Sequence, residues 1–456
     1  MDNQSDSINI SNLKPPQGFY YQFRKWLSLV VCGLAYIFVY FHRFTTAVLA
    51  NQLSEDLHVP KSSLGILSSM YFWPYGLVQP FVGAFADVLE PGYMIAAANI
   101  ICAAGSIICG VSNSLTLSCF GRFFVGLGCA TIFVPTNKIG SNWFTAQQFR
   151  YFSGALIGLC GIGSILSQKP LSLLGEAVGW RAILIGTAIL SFILSIISIF
   201  FVRGHPRTLG YDSEIPLIPM SSFKETFIKL LHNLKEMCCI GNFWMLSLYM
   251  TLAPGCFMVV SAMWGVPYLE DVLGYSPSIS SIIQMSLSIS IIIGSPLLPV
   301  IGAKTHSRQW TLFVSTSIAA ICSIIMALAR DNLKMWEVVC CFFLFGFGAS
   351  ACQGTALAMF KEFSSPELTA TLVGGGNTGP FIGGAILQTI SSDLIGTWGH
   401  HKHYPIQSYQ IGLWGLCALC CIVGNVFLVL VREPMTQIHQ NNYHNEKQAH
   451  LLKISI

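Results

Sequence analysis

The main shortage in this sequence is of charge. Only 10% of the 456 residues are Asp, Glu, Lys or Arg, whereas 53% are hydrophobic and the mean hydropathy is +0.61. An ordinary soluble protein carries about 25% charged residues. Because no soluble core can hide so much apolar surface, the lipid bilayer must be the solvent for most of the chain. The net charge of +4 is too small and too scattered for a nucleic-acid-binding protein.

Recognisable sites of chemistry are also lacking. The sixteen cysteines mostly lie inside apolar runs without paired CxxC spacing, and we interpret them as small buried hydrophobes. The stretch HHKH at 400–403 has no cysteine or carboxylate at ligand spacing, so no metal and no cofactor is predicted. The sequence contains no phosphate-binding loop, nucleophile elbow or zinc-binding helix motif. The chain is therefore predicted not to be an enzyme.

A cleavable leader is not predicted either. The first 25 residues are polar and contain no short apolar core followed by a small-residue cleavage site. A signal peptide has both features. The first hydrophobic helix is therefore expected to direct insertion into the membrane.

What the sequence has in abundance is apolar runs of membrane length. The hydrocarbon core of a bilayer takes about 20 apolar residues per helix. By that measure the chain is predicted to be an all-α polytopic membrane protein with twelve transmembrane helices in two six-helix bundles. The predicted spans are 27–49, 64–86, 93–111, 118–140, 151–173, 182–202, 243–266, 279–301, 310–329, 336–360, 369–391 and 409–431.

The distribution of basic residues predicts the orientation. Of the 24 Lys and Arg residues, 16 fall in the two tails and the loops on their side, six fall in the opposite loops, and two lie within spans. Loops that stay in the cytoplasm carry the excess of Lys and Arg. Both termini are therefore predicted to be cytoplasmic, in a plasma or bacterial inner membrane, with an intracellular membrane left open.

The spans are organised as two similar halves joined by a linker. The stretch FFVGLGCA at 123–130 aligns with FLFGFGAS at 343–350, an offset of 220 residues. Parallel repeats of this kind occur in transporters whose binding site lies between the halves. The linker has helical spacing and basic residues, which predict an interfacial helix. The predicted segments are a tail at 1–26, a bundle at 27–202, the linker at 203–240, a bundle at 241–431 and a tail at 432–456.

Several motifs resemble the major facilitator superfamily over nearly the whole chain. The stretch GAFADVLEPG at 83–92 resembles the family's loop between spans two and three, with Gly83 and Asp87 in place but Val88 at the expected basic position. The stretch GRFFVGLG at 121–128 resembles its span-four signature, with Arg122 as the arginine. GGGNTGPFIGGAILQ at 374–388 is similar to bacterial-type permeases of organic anions, amino acids and peptides. The resemblance implies the twelve-helix fold and transport by alternating access.

Four residues are candidates for gating. Gly83 and Asp87 close span two, where the resemblance and the helix dipole favour a contact between the Asp87 carboxylate and the N-terminus of span eleven. The alternative is a solvated acid at a helix end. Pro254 and Gly255 interrupt span seven and suggest a bend at an outer gate.

The candidate substrate-binding residues are basic, aromatic or neutral hydrogen-bonding groups within spans. At the 220-residue offset, Arg43 and Arg122 meet the uncharged Met263 and Phe342, and no Asp or Glu lies in the middle of a predicted span. Basic groups without acidic partners favour an anionic or carboxylate-bearing solute. Snorkelling to the surface is the alternative for Arg43, and interfacial anchoring is the alternative for Trp264. The predicted set is His42, Arg43, Gln79, Arg122, Trp264, Gln353 and Asn377.

The predicted function is secondary transport of a small organic anion, amino acid or short peptide. The alternatives are a transporter-like solute receptor without net transport and an exporter of a hydrophobic compound, which would have little use for Arg43. The predicted partners are a small-molecule substrate and the lipid bilayer, with no nucleic acid, and the chain is expected to act as a monomer.

Overall fold

A computed structural model of the chain describes residues 18–211, 222–305, 307–329, 333–363, 365–397 and 404–432. These residues form helices and no strand, which confirms the predicted fold class. Twelve long helices can be counted in the described part of the chain. They are α1 Phe19–Val48, α2 Leu64–Val88, α3 Pro91–Gly110, α4 Leu115–Trp143, α5 Ala146–Leu166, α6 Lys169–Phe201, α7 Gly241–Asp271, α8 Pro277–Lys304, α9 Arg308–Leu328, α10 Met335–Glu362, α11 Pro366–Gly396 and α12 Ile406–Leu430.

Ten of the twelve helices are long and apolar enough to cross a membrane, in a search limited to the described residues. The other two are α2 and α11, which are 25 and 31 residues long. Both have the required length, but they carry internal proline and polar residues, which lower their hydropathy. The two least apolar membrane helices are therefore the two that meet along the boundary between the halves.

The boundaries between the fifth and sixth helices differ from the sequence prediction. The prediction of a span ending at 173 is wrong, because α5 ends at Leu166. The predicted start of the next span at 182 lies close to Gly179, where a kink divides Lys169–Phe201 into two helices. Within α6, Gly179 has φ 78°, a left-handed conformation that glycine adopts without strain. This residue bends the helix in a stretch that the hydropathy pattern presents as the gap between two spans.

Irregular turns repeat between the halves. Helix α4 consists of Leu115–Ala130 and Phe133–Trp143, and α10 consists of Met335–Ala349 and Gln353–Glu362. The two breaks coincide at the 220-residue offset found in the sequence. Helix α7 runs through Pro254 and Gly255 without interruption and instead has a π-helical turn at Val260–Trp264. The predicted interruption at Pro254 is therefore displaced toward the end of the helix.

A helix between the halves marks one end of the bundle. It covers Phe223–Cys239, and we call it the linker helix. Its first part faces Phe81 and Phe85 of α2, while Asn233 contacts Thr371 of α11. We call the end of the bundle that carries this helix the linker end, and the opposite end the far end.

Helix α11 carries glycines at four-residue spacing, Gly375, Gly379 and Gly383, which we call the glycine seam. This seam packs inside the second half. A Cβ at Gly379 would lie 3.1 Å from the Ser247 carbonyl oxygen of α7, and one at Gly383 would clash with the Thr251 backbone of the same helix. The seam therefore lies against α7 of the same half. It is a site of close helix packing, as small residues at four-residue spacing allow.

Candidate functional site

Three amide side chains form a hydrogen-bonded chain across the two halves, which we call the amide chain. Gln353 Nε2 of α10 donates to Asn377 Oδ1 of α11 at 2.9 Å, and Asn377 Nδ2 donates to Gln79 Oε1 of α2 at 3.2 Å. Gln79 Nε2 lies 3.5 Å from the Ala130 carbonyl oxygen, at the break in α4. The sequence singled out all three amides, and the structure brings them together.

Arg43 lies in a box of aromatic rings that also draws on both halves. Its guanidinium carbon is 4.4 Å from the ring centre of Tyr40, 5.2 Å from that of Tyr75 and 5.1 Å from that of Phe381. The residue is 4% exposed, and Nε has no hydrogen-bond partner. Within the described part of the chain, Arg43 forms no ion pair with a carboxylate. A cation over several ring faces gains attraction from their π electrons, which makes its burial tolerable.

The aromatic box and the amide chain are adjacent layers at the middle of the bundle. Tyr75 and Gln79 are four residues apart on α2, as are Asn377 and Phe381 on α11. Four residues of helix rise about 6 Å. Helix α2 runs toward the linker end and α11 runs away from it, so the amide chain is the layer nearer the linker end. At this depth the guanidinium does not reach the surface at a helix end.

His42 and Arg122 lie on another side of α1. Arg122 NH1 donates to the backbone carbonyl oxygen of His42 at 2.9 Å, and the Arg122 guanidinium carbon is 5.2 Å from the Tyr71 ring centre. Both nitrogens of the His42 ring are buried without a hydrogen-bond partner. Successive helical residues project about 100° apart. Arg43 therefore faces the boundary between the halves, while His42 and Arg122 are buried inside the first half.

Trp264 belongs to an aromatic cluster in the second half. Its indole Nε1 donates to Ser392 Oγ at 3.1 Å, and its ring packs edge-on against Tyr404 and Tyr409. Its partner Ser392 lies fifteen residues beyond Asn377 on α11, about 22 Å along the helix, so Trp264 does not join the amide chain. Gly255, one of the predicted gating residues, sits where α7 approaches α11, since a Cβ there would be 3.0 Å from the Gly383 carbonyl carbon.

Buried polar contacts close the far end, and no motif in the sequence predicts them. We call them the far-end seal. Lys61 Nζ of the first half binds Asp271 Oδ1 of the second at 2.7 Å, and Asn51 Nδ2 donates to Glu270 Oε2 at 2.7 Å. Asp271 Oδ2 also accepts a 2.7 Å hydrogen bond from the Tyr409 hydroxyl. These residues stand at predicted span ends, where their position indicated only solvated charges.

At the linker end, the Asp87 carboxylate is bound within its own half. Lys138 Nζ of α4 is 2.9 Å from Asp87 Oδ1 and also donates to the Ala86 carbonyl oxygen at 2.5 Å. Asp87 is 64% exposed in its side chain, and a Cβ added at Gly83 would meet no atom within 4 Å. The second half has a comparable pair, Arg308 with Glu362. The contact expected between Asp87 and α11 is replaced in this conformation by the pair with Lys138.

No group of three metal-ligating side chains is found in a search limited to the described residues. The HHKH stretch at 400–403 lies outside them. The described site thus consists of one buried cation, aromatic rings and amides. This combination can bind and orient an anion by charge and hydrogen bonds.

Comparison with known proteins identifies relatives of this architecture. The profile of the Major Facilitator Superfamily matches residues 32–388. The chain is 20% identical over 300 residues to the probable sulfoacetate transporter SauU of Cupriavidus necator, covering 63% of this chain and 66% of that one. It is 24% identical to a probable hexose phosphate transport protein of Chlamydia trachomatis, covering 44% and 45% of the two chains. The match thus spans two thirds or less of the length of these two relatives.

A human relative matches over a longer stretch. The lysosomal dipeptide transporter MFSD1 of Homo sapiens is 24% identical, with 83% of this chain and 81% of that one covered. Among solved structures, the fold is similar to a bacterial homolog of the human lysosomal transporter Spinster, with a TM-score of 0.71 at 17% identity, over 90% of this chain and 97% of that one. The nucleoside transporter NupG gives a TM-score of 0.67 at 14% identity, over 89% and 98%. These structures establish the likeness of the fold alone.

Proposed function

Because this chain belongs to the Major Facilitator Superfamily, we propose that it is a secondary transporter that moves a small organic anion by alternating access. The observation that carries the proposal is the position of Arg43. Its guanidinium is buried near the middle of the bundle between rings of both halves, and no described carboxylate pairs with it. An intramembrane charge is costly and marks a functional site by default.

The chemistry of arginine favours a carboxylate, sulfonate or phosphate as the ligand. A guanidinium offers parallel N–H donors that match two oxygens of such a group. A bound anion would also neutralise the buried charge, so substrate and site would stabilise each other. The printed names of two relatives, for sulfoacetate and hexose phosphate transport, support this class of substrate.

The amide chain is proposed to hold the rest of the solute. Gln79, Gln353 and Asn377 now satisfy one another, and a substrate hydroxyl, amide or second acid could replace these bonds. The spacing of the two layers favours a solute with a polar group about 6 Å from its anion. The buried positions of His42, Arg122 and Trp264 favour supporting roles for these residues, in packing α1 and in closing the far end.

The excess of basic residues on the side of the tails supports a cytoplasmic linker end. In that orientation the far-end seal is an outer gate. Asp87 is proposed to exchange Lys138 for the first turn of α11 when the cytoplasmic side closes, and the close approach of Gly255 to α11 is proposed as the pivot. Because the proposed site lies between halves of one chain, a monomer is sufficient for transport.

The test is uptake into proteoliposomes containing the purified chain. Labelled sulfoacetate, a hexose phosphate, a dipeptide and a neutral hexose should be supplied separately, and the anions should accumulate while the neutral hexose does not. Arg43→Gln should abolish that uptake without loss of protein. Transport of the neutral hexose alone, or of a hydrophobic compound with Arg43→Gln unaffected, would refute anion transport. Binding without uptake would indicate a receptor.

A further inference from the structure

A cavity lies away from the proposed transport site. It is a groove of about 660 Å³ between α1 and α5 at the linker end. Its floor is apolar and includes Leu29, Gly33, Ile37, Leu156 and Leu159. At Gly33 the two helices approach closely, because a Cβ there would be 2.9 Å from the Leu159 side chain. This close approach keeps the floor of the groove narrow. The floor therefore offers a continuous apolar surface along both helices.

The described residues that line this groove all belong to the first half. Trp26, Val30 and Leu34 form its rim on α1 and are 59%, 56% and 42% exposed. Large apolar side chains exposed on a membrane helix face lipid. Lys25 at this groove and Arg43 in the aromatic box are eighteen residues apart on α1, or about 27 Å along the helix. The groove is thus accessible from the bilayer and separate from the box.

Among the described residues that line the groove, the cation is Lys25, at the linker end. Lys25 is 9% exposed, its Nζ is 3.2 Å from Gln148 Oε1, and it is 4.3 Å from the ring centre of Phe144. Within the described residues Lys25 forms no ion pair with a carboxylate. Its partners are a neutral amide and an aromatic face, which leave the positive charge uncompensated. The amide of Gln22 lines the same part of the groove.

We propose that this groove binds one anionic phospholipid, with its phosphate at Lys25 and one acyl chain along the apolar floor. Charge complementarity selects the headgroup, since an uncompensated lysine near the membrane surface attracts anionic lipid. The length of the floor fits the chain, because Lys25 to Ile37 spans about 18 Å of helix and one leaflet of the hydrocarbon core is about 15 Å thick. Gln22 and Gln148 supply donors for the glycerol and ester oxygens.

Native mass spectrometry of the delipidated full-length chain in detergent tests the proposal. Phosphatidylglycerol, phosphatidylcholine and glycerol phosphate should be titrated separately. One phosphatidylglycerol should bind at least fivefold more tightly than phosphatidylcholine, and glycerol phosphate, which has no acyl chain, should not bind in the same range. Lys25→Gln should remove the fivefold preference. Lys229→Gln, at an exposed lysine of the linker helix, is the matched control and should retain it.

A second variant tests the acyl chain independently of charge. Ala155→Phe places a ring in the groove and should weaken binding of both phospholipids while leaving Lys25 intact. Unchanged phosphatidylglycerol binding in either Lys25→Gln or Ala155→Phe would overturn the proposal, as would equal binding of the two phospholipids by the parent chain. Thermal unfolding in lipid-free detergent shows whether each variant is folded, and the readout does not depend on the transported solute.

Discussion

The far-end seal gives the sharpest test of the gate, through the ion pair between Lys61 and Asp271. This pair joins the two halves, and its side chains are 11% and 9% exposed. Replacing Lys61 by alanine leaves the Asp271 carboxylate buried with the Tyr409 hydroxyl as its remaining hydrogen-bond donor. We expect Lys61→Ala to favour the state that is open at the far end.

The size of the effect follows from burial. Removing one partner of a buried ion pair costs about 3–5 kcal/mol, because the other charge stays desolvated. Tyr409 still donates to Asp271, so the lower value of about 3 kcal/mol applies. In the open state water can solvate the carboxylate, so this cost falls only on the closed state. Since each 1.4 kcal/mol is a factor of ten, the ratio of open to closed molecules should rise roughly a hundredfold.

Cysteine labelling measures this shift. Ser68 of α2 is completely buried behind the seal, and its Oγ donates to the Ala262 carbonyl oxygen of α7 at 3.2 Å. On a cysteine-poor background, Ser68→Cys should react slowly with a membrane-impermeant thiol reagent added at the far end. Adding Lys61→Ala should raise the rate at least tenfold, and the exchanged pair Lys61→Asp with Asp271→Lys should lower it again.

A control lysine at the same end distinguishes gating from general loosening. Lys169 begins α6 and forms no ion pair within the described residues, so Lys169→Ala should leave labelling at position 68 unchanged. If Lys61→Ala also leaves the labelling rate unchanged in folded protein, the ion pair does not hold the far end closed. The reasoning from burial would then be wrong.

Three further predictions concern the site, the linker end and the topology. Arg43→Lys should leave the chain inserted and folded but weaken substrate binding at least tenfold, or about 1.4 kcal/mol, because an ammonium cannot match two oxygens of an anion. An unchanged apparent affinity in transport assays would contradict this prediction. Asp87→Asn should favour the state open at the linker end and slow transport. Lys138→Gln removes the solvent-exposed pair with Asp87 and the hydrogen bond to the Ala86 carbonyl oxygen, and it should change transport little; alkylation of cysteines along α2 and α11 measures both effects. Cysteines placed at positions 215 and 400 should be labelled from opposite sides of the membrane, and labelling of both from outside would refute the twelve-helix topology.

The fold could be predicted from the sequence because its cause is local. Apolar runs of about 20 residues specify membrane helices without knowledge of their neighbours, and the 220-residue repeat specifies two halves. The errors arose where local signals mislead. The predicted fifth span extends to 173 across the short turn that ends α5 at Leu166, and Pro254 indicates an interruption that the structure has at Val260–Trp264 instead.

The candidate site was predictable only in part, because side-chain direction depends on helix rotation. His42 and Arg43 are adjacent and both polar, but their projections differ by about 100°, so only one of them can face the other half. The pairing of Lys61 with Asp271 is different, since the two residues are 210 positions apart and meet only through the packing of whole bundles. No local periodicity encodes that contact.

The polar contacts of this conformation suggest how an occupied site would differ from an empty one. The pairs of Asp87 with Lys138 and of Arg308 with Glu362, at the linker end, stay within one half, as does that of Arg181 with Asp56, whereas Lys61 with Asp271 crosses between the halves. The amide chain crosses as well, through the bond from Asn377 to Gln79. An empty carrier must break that bond when the halves separate, but a substrate bound to both amides would already have replaced it. Binding would therefore remove one of the hydrogen bonds that join the halves and supply a new link through the solute. A solute that contacts Arg43 alone would leave the bond in place, so the amide layer is where occupancy would bias the opening and closing of the gate.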